Sequence, residues 1–298
     1  MNHTAVNPPD KPKTKVVAII PARYDSVRLP GKALLEIAGK PMICWVVERA
    51  LAARNVSRAI VATDDERIFE AVSSARYEVV MTSRDHASGT DRIAEVASSL
   101  DDYEIVVNVQ GDEPLVSPLT IERAVDAMHE QKTREVENGG KGKGEGVTEE
   151  IGIVTTWGQV ESAADILNPD VVKIVLDGNG RAVYFSRSPV PYPRDAMRRH
   201  GSLEAAFREE PALLSIFRKH TGLYVYRRDV LLAFAKWPQS ELERFESLEQ
   251  LRALDHGVKI KAIQASTTSI GVDTIEDLER VRSVVEEEAC SVSRRQAV

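Results

Sequence analysis

The sequence is short of the features that would place it outside a reducing, aqueous compartment. It has two cysteines, Cys44 and Cys290, far apart and not in a CxxC pair, which rules out a disulfide framework and points to a reducing environment. No run reaches the roughly 18 apolar residues needed to span a bilayer, and the opening MNHTAVNPPDKPKTK lacks the apolar core of a signal peptide. A cytoplasmic protein without membrane contact is expected. Net positive charge is missing too: 39 Lys and Arg against 46 Asp and Glu leave −7, the wrong sign for a general nucleic-acid footprint. Any anion site must be a local gathering of cations on an acidic protein. The usual phosphate and hydrolase motifs are also absent. There is no GxGxxG, no GxSxG and no HExxH, and Gly31-Lys32 runs into Ala33 without the upstream glycine of a Walker motif. The six histidines show no ligand spacing, so a zinc site is not expected.

What is present is an alternation of apolar runs and helical patterns. Val16 to Ile20 is an uninterrupted aliphatic run, suited to a strand buried on both faces of a parallel sheet. It is followed by PARYDSVRLPGK, which delivers Arg23, Arg28 and Lys32 to the carboxyl end of that strand, where open α/β sheets bind their ligands. Helical spacing follows from Pro41, a strand over 58–63, a short apolar run at Val79–Met81, a helix on Ile93, Val96 and Ala97, and a buried strand at Ile105–Val109. This order predicts an α/β, doubly wound, mixed but mostly parallel sheet. Beyond 150 the pattern turns mixed. A hairpin over 171–185 carries the turn Asp177-Gly178-Asn179-Gly180, a strand covers 222–226, helices cover 230–235 and 245–254, and an edge strand covers 259–265. Thr274-Ile275-Glu276-Asp277 has the form of a capping box opening the last helix.

Three polar clusters fall at strand ends. The first is Arg23, Arg28 and Lys32. The second is Ser88-Gly89-Thr90-Asp91-Arg92, whose small residues at a helix start can present backbone N–H groups to an anion. The third is Asp112 in Gln110-Gly111-Asp112-Glu113-Pro114. Asp112 has two readings, an ion pair with an arginine or a ligand for Mg²⁺ that in turn binds phosphate. Asp273 repeats the choice, with a helix-start carboxylate as its plain alternative. A unit-charge pair at about 4 Å is worth roughly 4 kcal/mol in a partly solvated site before desolvation. A cluster of cations with a carboxylate-held metal would repel itself without a polyanion, and a triphosphate meets that demand.

Taken together, IIPARYDSVRLPGK, GKPMI, TSRDHASGTDR, NVQGDEP, KHTGLYVY, ESLEQLR and GVDTIEDLERVR resemble the 3-deoxy-manno-octulosonate (Kdo) cytidylyltransferases, in the same order from about Val16 to Arg282. The first motif alone is also similar to sialic-acid cytidylyltransferases and other sugar nucleotidyltransferases. The resemblance implies transfer of CMP from CTP to Kdo with release of pyrophosphate, for lipopolysaccharide synthesis, with Mg²⁺ as cofactor, by a homodimer with a smaller α+β sugar-binding and dimerisation subdomain. Carried over residue by residue, it gives Arg23 and Lys32 to the triphosphate and Asp112 and Asp273 to the metal. Ala22, Ser88, Gly89 and Gln110 fall to the nucleotide, and Arg28, Arg92, His220, Tyr224, Glu249 and Gln250 to the sugar. The remaining readings are a cytidylyltransferase for another sugar acid, such as sialic acid or amino-Kdo, and a non-catalytic nucleotide sensor on the same fold.

The expected layout is a tail over 1–14, a nucleotide-binding α/β part over 15–131 and a flexible loop over 132–150. A sugar-binding and dimerisation part over 151–288 completes the same domain, and a second tail covers 289–298. Five glycines among alternating charges in KTREVENGGKGKGEGVTEE leave too little apolar surface to order the loop. That loop and the basic stretch 194–218 look longer than the family's usual form, and the latter is a candidate lid or dimer contact.

Overall fold

The computed structural model describes residues 14–25, 28–137 and 150–296. The chain runs β1 (Val16–Ala22), a 3₁₀ turn (Lys32–Leu34), the two-residue strands β2 (Glu36–Ile37) and β3 (Lys40–Pro41), α1 (Met42–Leu51), β4 (Arg58–Thr63), α2 (Glu66–Ser74), β5 (Glu78–Met81), α3 (Gly89–Ser98), β6 (Ile105–Asn108) and α4 (Pro118–Glu137). The second half holds β7 (Ile151–Gln159), α5 (Ala163–Leu167), β8 (Lys173–Leu176), β9 (Ala182–Ser186), α6 (Arg194–His200), α7 (Leu203–Glu209), β10 (Arg218–Arg227), α8 (Arg228–Phe234), α9 (Glu241–Glu246), α10 (Gln250–Asp255), β11 (Lys259–Gln264) and α11 (Ile275–Gln296).

Both halves share one sheet, in the order β11-β7-β10-β6-β1-β4-β5, with β8 and β9 branching from β10. β1 is parallel to both β4 and β6, β4 to β5, and β7 to β11. β10 is antiparallel to β6 and β7 and is the strand that reverses direction within the row. The α/β, mostly parallel sheet expected from the alternation of elements is the one found.

β1 is buried on both faces because its side chains divide between two apolar layers. Val16, Ala18 and Ile20 pack with Ile43 and Val47 of α1 and Ile121 and Val125 of α4. Val17 and Ile19 face the opposite layer, with Ile93 and Ala97 of α3 and Tyr226 of β10. Alternation across a strand puts neighbouring residues on opposite faces, and full burial of each aliphatic side chain contributes about 1.5–3 kcal/mol. A third layer seats α11, through Leu278, Val281 and Val285, against Leu29, Ile37 and Met42. It ties the end of the chain to the loop after β1.

Several expected elements take a different form. α4 continues to Glu137 and α11 to Gln296, so helix covers 132–137 and 289–296, where a loop and a tail were expected. The glycine-charge segment 138–149 and the residues 1–13 and 297–298 lie outside the described residues. The single helix expected over 245–254 is two, α9 and α10, separated at Ser247 with φ 53°. The strand expected over 222–226 begins four residues earlier, as β10, with an irregular register between Thr221 and Tyr224. The 171–185 hairpin forms as β8–β9.

Candidate active site

The loops leaving β1 and β6 and the start of α11 meet in a cleft of about 570 Å³ at the carboxyl ends of the parallel strands. Ala22, Arg23, Arg28, Lys32, Gly89, Gln110, Asp112 and Asp273 line it, together with Asp25. Two backbone features bring these loops together. Gly111 carries no Cβ, and one built there would stand 2.7 Å from the Pro21 carbonyl oxygen, so only glycine lets the β6 loop lie on the end of β1. Gly31 has φ 69° and donates its amide to the Tyr24 carbonyl at 2.9 Å, closing the basic loop before Lys32.

Lys32 sits between the two carboxylates. Its Nζ donates to Asp112 Oδ2 at 2.5 Å and Asp273 Oδ1 at 3.1 Å, and reaches the Val272 carbonyl at 3.4 Å. Burial opposes the ammonium charge, but Asp112 and then Asp273 outweigh it and hold the Lys32 pKa above its ordinary value. Arg28 donates to the other Asp273 oxygen at 2.8 Å. Asp273 is fixed from behind: Asp277 Oδ2 accepts the amides of Asp273 and Thr274, and the Thr274 hydroxyl accepts the Asp277 amide. This is the capping box read from the sequence.

On the opposite wall, Ser88 caps α3. Its hydroxyl accepts the Asp91 amide while Asp91 accepts the Ser88 amide, both at 3.1 Å. Gly89 and the first turn of α3 thus face the cleft with amides that helix geometry leaves without intrahelical partners. Arg92 behaves differently from its neighbours in the motif. It is fully buried and donates to Asp64 at 2.7 Å and to the Thr82 hydroxyl at 2.5 Å. It lies behind the cleft, tying α3 to the end of β4.

The remaining residues expected at the sugar form a second group alongside. Thr90, next to Gly89, donates to Glu249 Oε1 at 2.5 Å. Tyr224 is stacked on Tyr226 at 5.7 Å and tilted against His220 at 5.3 Å, and Gln250 is buried at the start of α10. The Thr155 hydroxyl donates its proton to the Leu223 carbonyl, so His220 Nε2, 2.9 Å away, donates to that hydroxyl and Nδ1 keeps the lone pair. Burial pushes the His220 pKa down to about 3, leaving a neutral ring. Burial likewise raises Glu249 and lifts Tyr224 well above 10. Arg252 makes a buried two-bond pair with Glu243 at 2.5 and 2.8 Å.

Residues 17–260 match the family described as Cytidylyltransferase. The 3-deoxy-manno-octulosonate cytidylyltransferase of Geobacter sulfurreducens is 47% identical over 266 residues, 89% of this chain and 97% of that protein. The Neisseria gonorrhoeae enzyme of that name is 46% identical over 91% of this chain and 98% of its own. The chain belongs to the 3-deoxy-manno-octulosonate cytidylyltransferase family. A solved structure of CMP:2-keto-3-deoxy-manno-octonic acid synthetase complexed with CTP superposes with a TM-score of 0.77, at 39% identity, covering 92% of this chain and all of that one. A cytidylyltransferase from Leptospira borgpetersenii, 16% identical with a TM-score of 0.55 over 92% of this chain and 87% of its own, shares the fold.

Within this cytidylyltransferase, Asp112 and Asp273 fit a hard divalent cation. Two carboxylates converge on one positive centre, which an ammonium already fills at 2.5 and 3.1 Å, and Mg²⁺ is commonly held by one or two carboxylates with phosphate and water completing its shell. Among the described residues no group of three or more His, Cys, Asp or Glu is placed to hold a metal ion. Sequence reasoning missed Asp25 in the cleft wall, the Thr90 link between the two groups and Thr155 beneath His220. The first two lie inside motifs already singled out. Thr155 lies in an ordinary strand and carries no signal.

Proposed function

We propose that this chain transfers CMP from CTP to Kdo, giving CMP-Kdo and pyrophosphate for lipopolysaccharide synthesis. The observation that carries the reading is that Arg23, Arg28 and Lys32 share one cleft with Asp112 and Asp273, with Lys32 bonded to both carboxylates and Arg28 to Asp273. The anomeric hydroxyl of the sugar acid gives up its proton to solvent as its oxygen attacks the α-phosphorus, the bond from that phosphorus to the α–β bridging oxygen breaks, and pyrophosphate departs. Such a displacement needs alignment and charge neutralisation rather than a covalent nucleophile.

Arg23 and Lys32 neutralise the triphosphate, while Ala22, Ser88, Gly89 and Gln110 seat the nucleoside. Arg28, at the junction, takes the sugar carboxylate. His220, Tyr224, Glu249 and Gln250 give the acceptor hydroxyls donors and acceptors at fixed positions, and the neutral His220 offers Nδ1 as an acceptor. Arg92 serves by holding α3, since its guanidinium is enclosed by Asp64 and Thr82. Asp112 and Asp273 would hold Mg²⁺, which supplies charge neutralisation at phosphate oxygens when bound.

The same reading places the protein in the cytoplasm as a homodimer. Among the described residues no helix is long and apolar enough to cross a membrane. Val183, Tyr192 and Phe245 expose apolar surface in the acceptor half, and sedimentation equilibrium tests the dimer. Incubation with CTP, Mg²⁺ and each of Kdo, amino-Kdo and sialic acid, followed by pyrophosphate release, tests the reaction. Release with Kdo is expected. Release only with another acid, or CTP binding without turnover, would overturn it.

A further inference from the structure

Lys32 has two demands on it that cannot be met together. An ammonium has three donors and no acceptor. Here three oxygens surround it, Asp112 Oδ2 at 2.5 Å, Asp273 Oδ1 at 3.1 Å and the Val272 carbonyl at 3.4 Å. None of the three donors is left for a phosphate, and one oxygen of each carboxylate is already taken. The second oxygen of Asp273 is taken as well, by Arg28. The grip is tight, for the Lys32 side chain is 17% exposed and the Asp112 side chain 28%.

We propose that Lys32 is an internal competitor for the metal carboxylates, so that metal binding and the swing of Lys32 to the triphosphate are one exchange. This rests on Asp112 and Asp273 being the metal carboxylates. A divalent cation entering alone must expel a unit charge from the very oxygens it needs. A cation entering with a triphosphate offers the displaced ammonium new oxygens within reach of its flexible four-carbon stem. Two ligands that share such an exchange strengthen each other's binding by equal factors. The protein then discriminates against free metal and takes metal and nucleotide together, with Lys32 leaving the carboxylates as it engages the phosphates.

The probe is Mn²⁺ alone, without nucleotide or sugar, followed by the loss of free-ion electron paramagnetic resonance signal. Lys32→Met and Lys32→Gln keep the stem length and remove the charge. Both are expected to bind Mn²⁺ at least about tenfold tighter than the wild type, as removal of a unit charge at this distance implies. Lys32→Arg, which keeps the charge, is expected to stay as weak as the wild type. Adding Asp112→Asn to Lys32→Met should abolish the gain. Circular dichroism melting checks that each variant is folded.

Equal or weaker Mn²⁺ binding in the two neutral variants would overturn the proposal, as would a gain in Lys32→Arg matching theirs or a gain that survives Asp112→Asn. Because no substrate is present, this outcome is independent of which sugar acid the enzyme uses. Failure of the Kdo reaction would leave the Mn²⁺ result standing, and the reverse also holds.

Discussion

The amide of Val272 donates to the carbonyl of Asp112 at 2.9 Å, joining the loop after β6 to the start of α11. The two carboxylates of the cleft therefore sit on adjacent stems of backbone. Asp112→Asn and Asp273→Asn are each expected to lower kcat/KM by at least about a hundredfold, the scale on which loss of one transition-state charge contact is felt. Steady-state pyrophosphate release measures it, and a variant within a few-fold of wild type would remove that residue from the metal role.

Gly111→Ala puts a methyl carbon 2.7 Å from the Pro21 carbonyl. The two loops must part, at a cost of about 1–3 kcal/mol, typical of overpacking. Urea denaturation should show the loss. The KM for CTP should rise, because Ala22 and Gln110 line the wall that moves.

The Glu243–Arg252 pair braces α9 against α10, and its side chains are only 5% and 8% exposed. Arg252→Met strands a buried carboxylate, and breaking a pair in this way costs about 3–5 kcal/mol. Glu249 and Gln250 stand at the start of the braced helix. The KM for the sugar acid should therefore rise while that for CTP stays, a split that a general loss of stability would not produce.

His220 carries a pH signature. Its folded pKa is lowered from 6.5 to about 3, so between these values the unfolded chain binds the extra proton. Stability then rises with pH across that window and is lost as pH falls from about 6.5 toward 3, by up to about 1.4 kcal/mol per pH unit. Glu113, raised to about 7 by burial and by Asp112, contributes the opposite sign between 4.5 and 7. The difference between wild type and His220→Gln, from urea titrations at several pH values, isolates the histidine. Parallel curves would show that the ring is not held neutral by burial.

The pieces proposed to hold the nucleotide were legible in local sequence because each is contiguous. An aliphatic strand, a glycine-bearing basic loop and a capped helix each declare themselves within ten or so residues. For Asp273 the sequence left a metal ligand and a helix-start acid equally open until the family resemblance paired it with Asp112, since the two are joined through the Val272 amide and not by spacing. The resemblance gives Arg92 to the sugar acid. Only the packed structure turns it inward onto Asp64 and Thr82. The break at Ser247 gave no sign, because a serine at φ 53° has neither the glycine nor the asparagine that usually marks such a turn.

One strand in the row runs against its neighbours, and that reversal divides the chain's labour. Tyr224 of β10 pairs with Asn108 and Arg227 with Ile105, so β10 begins at the ligand end of the sheet and departs from it. On the proposed roles, the early part of β10 brings the acceptor side against the loop after β6, where a Cβ at Gly222 would stand 3.2 Å from both Gln110 and Glu113. On those roles, the reversed strand is the seam where the acceptor half meets the donor loops. Selection for a different sugar acid would be expected to change His220, Tyr224, Glu249 and Gln250 before it touched Arg23 and Lys32.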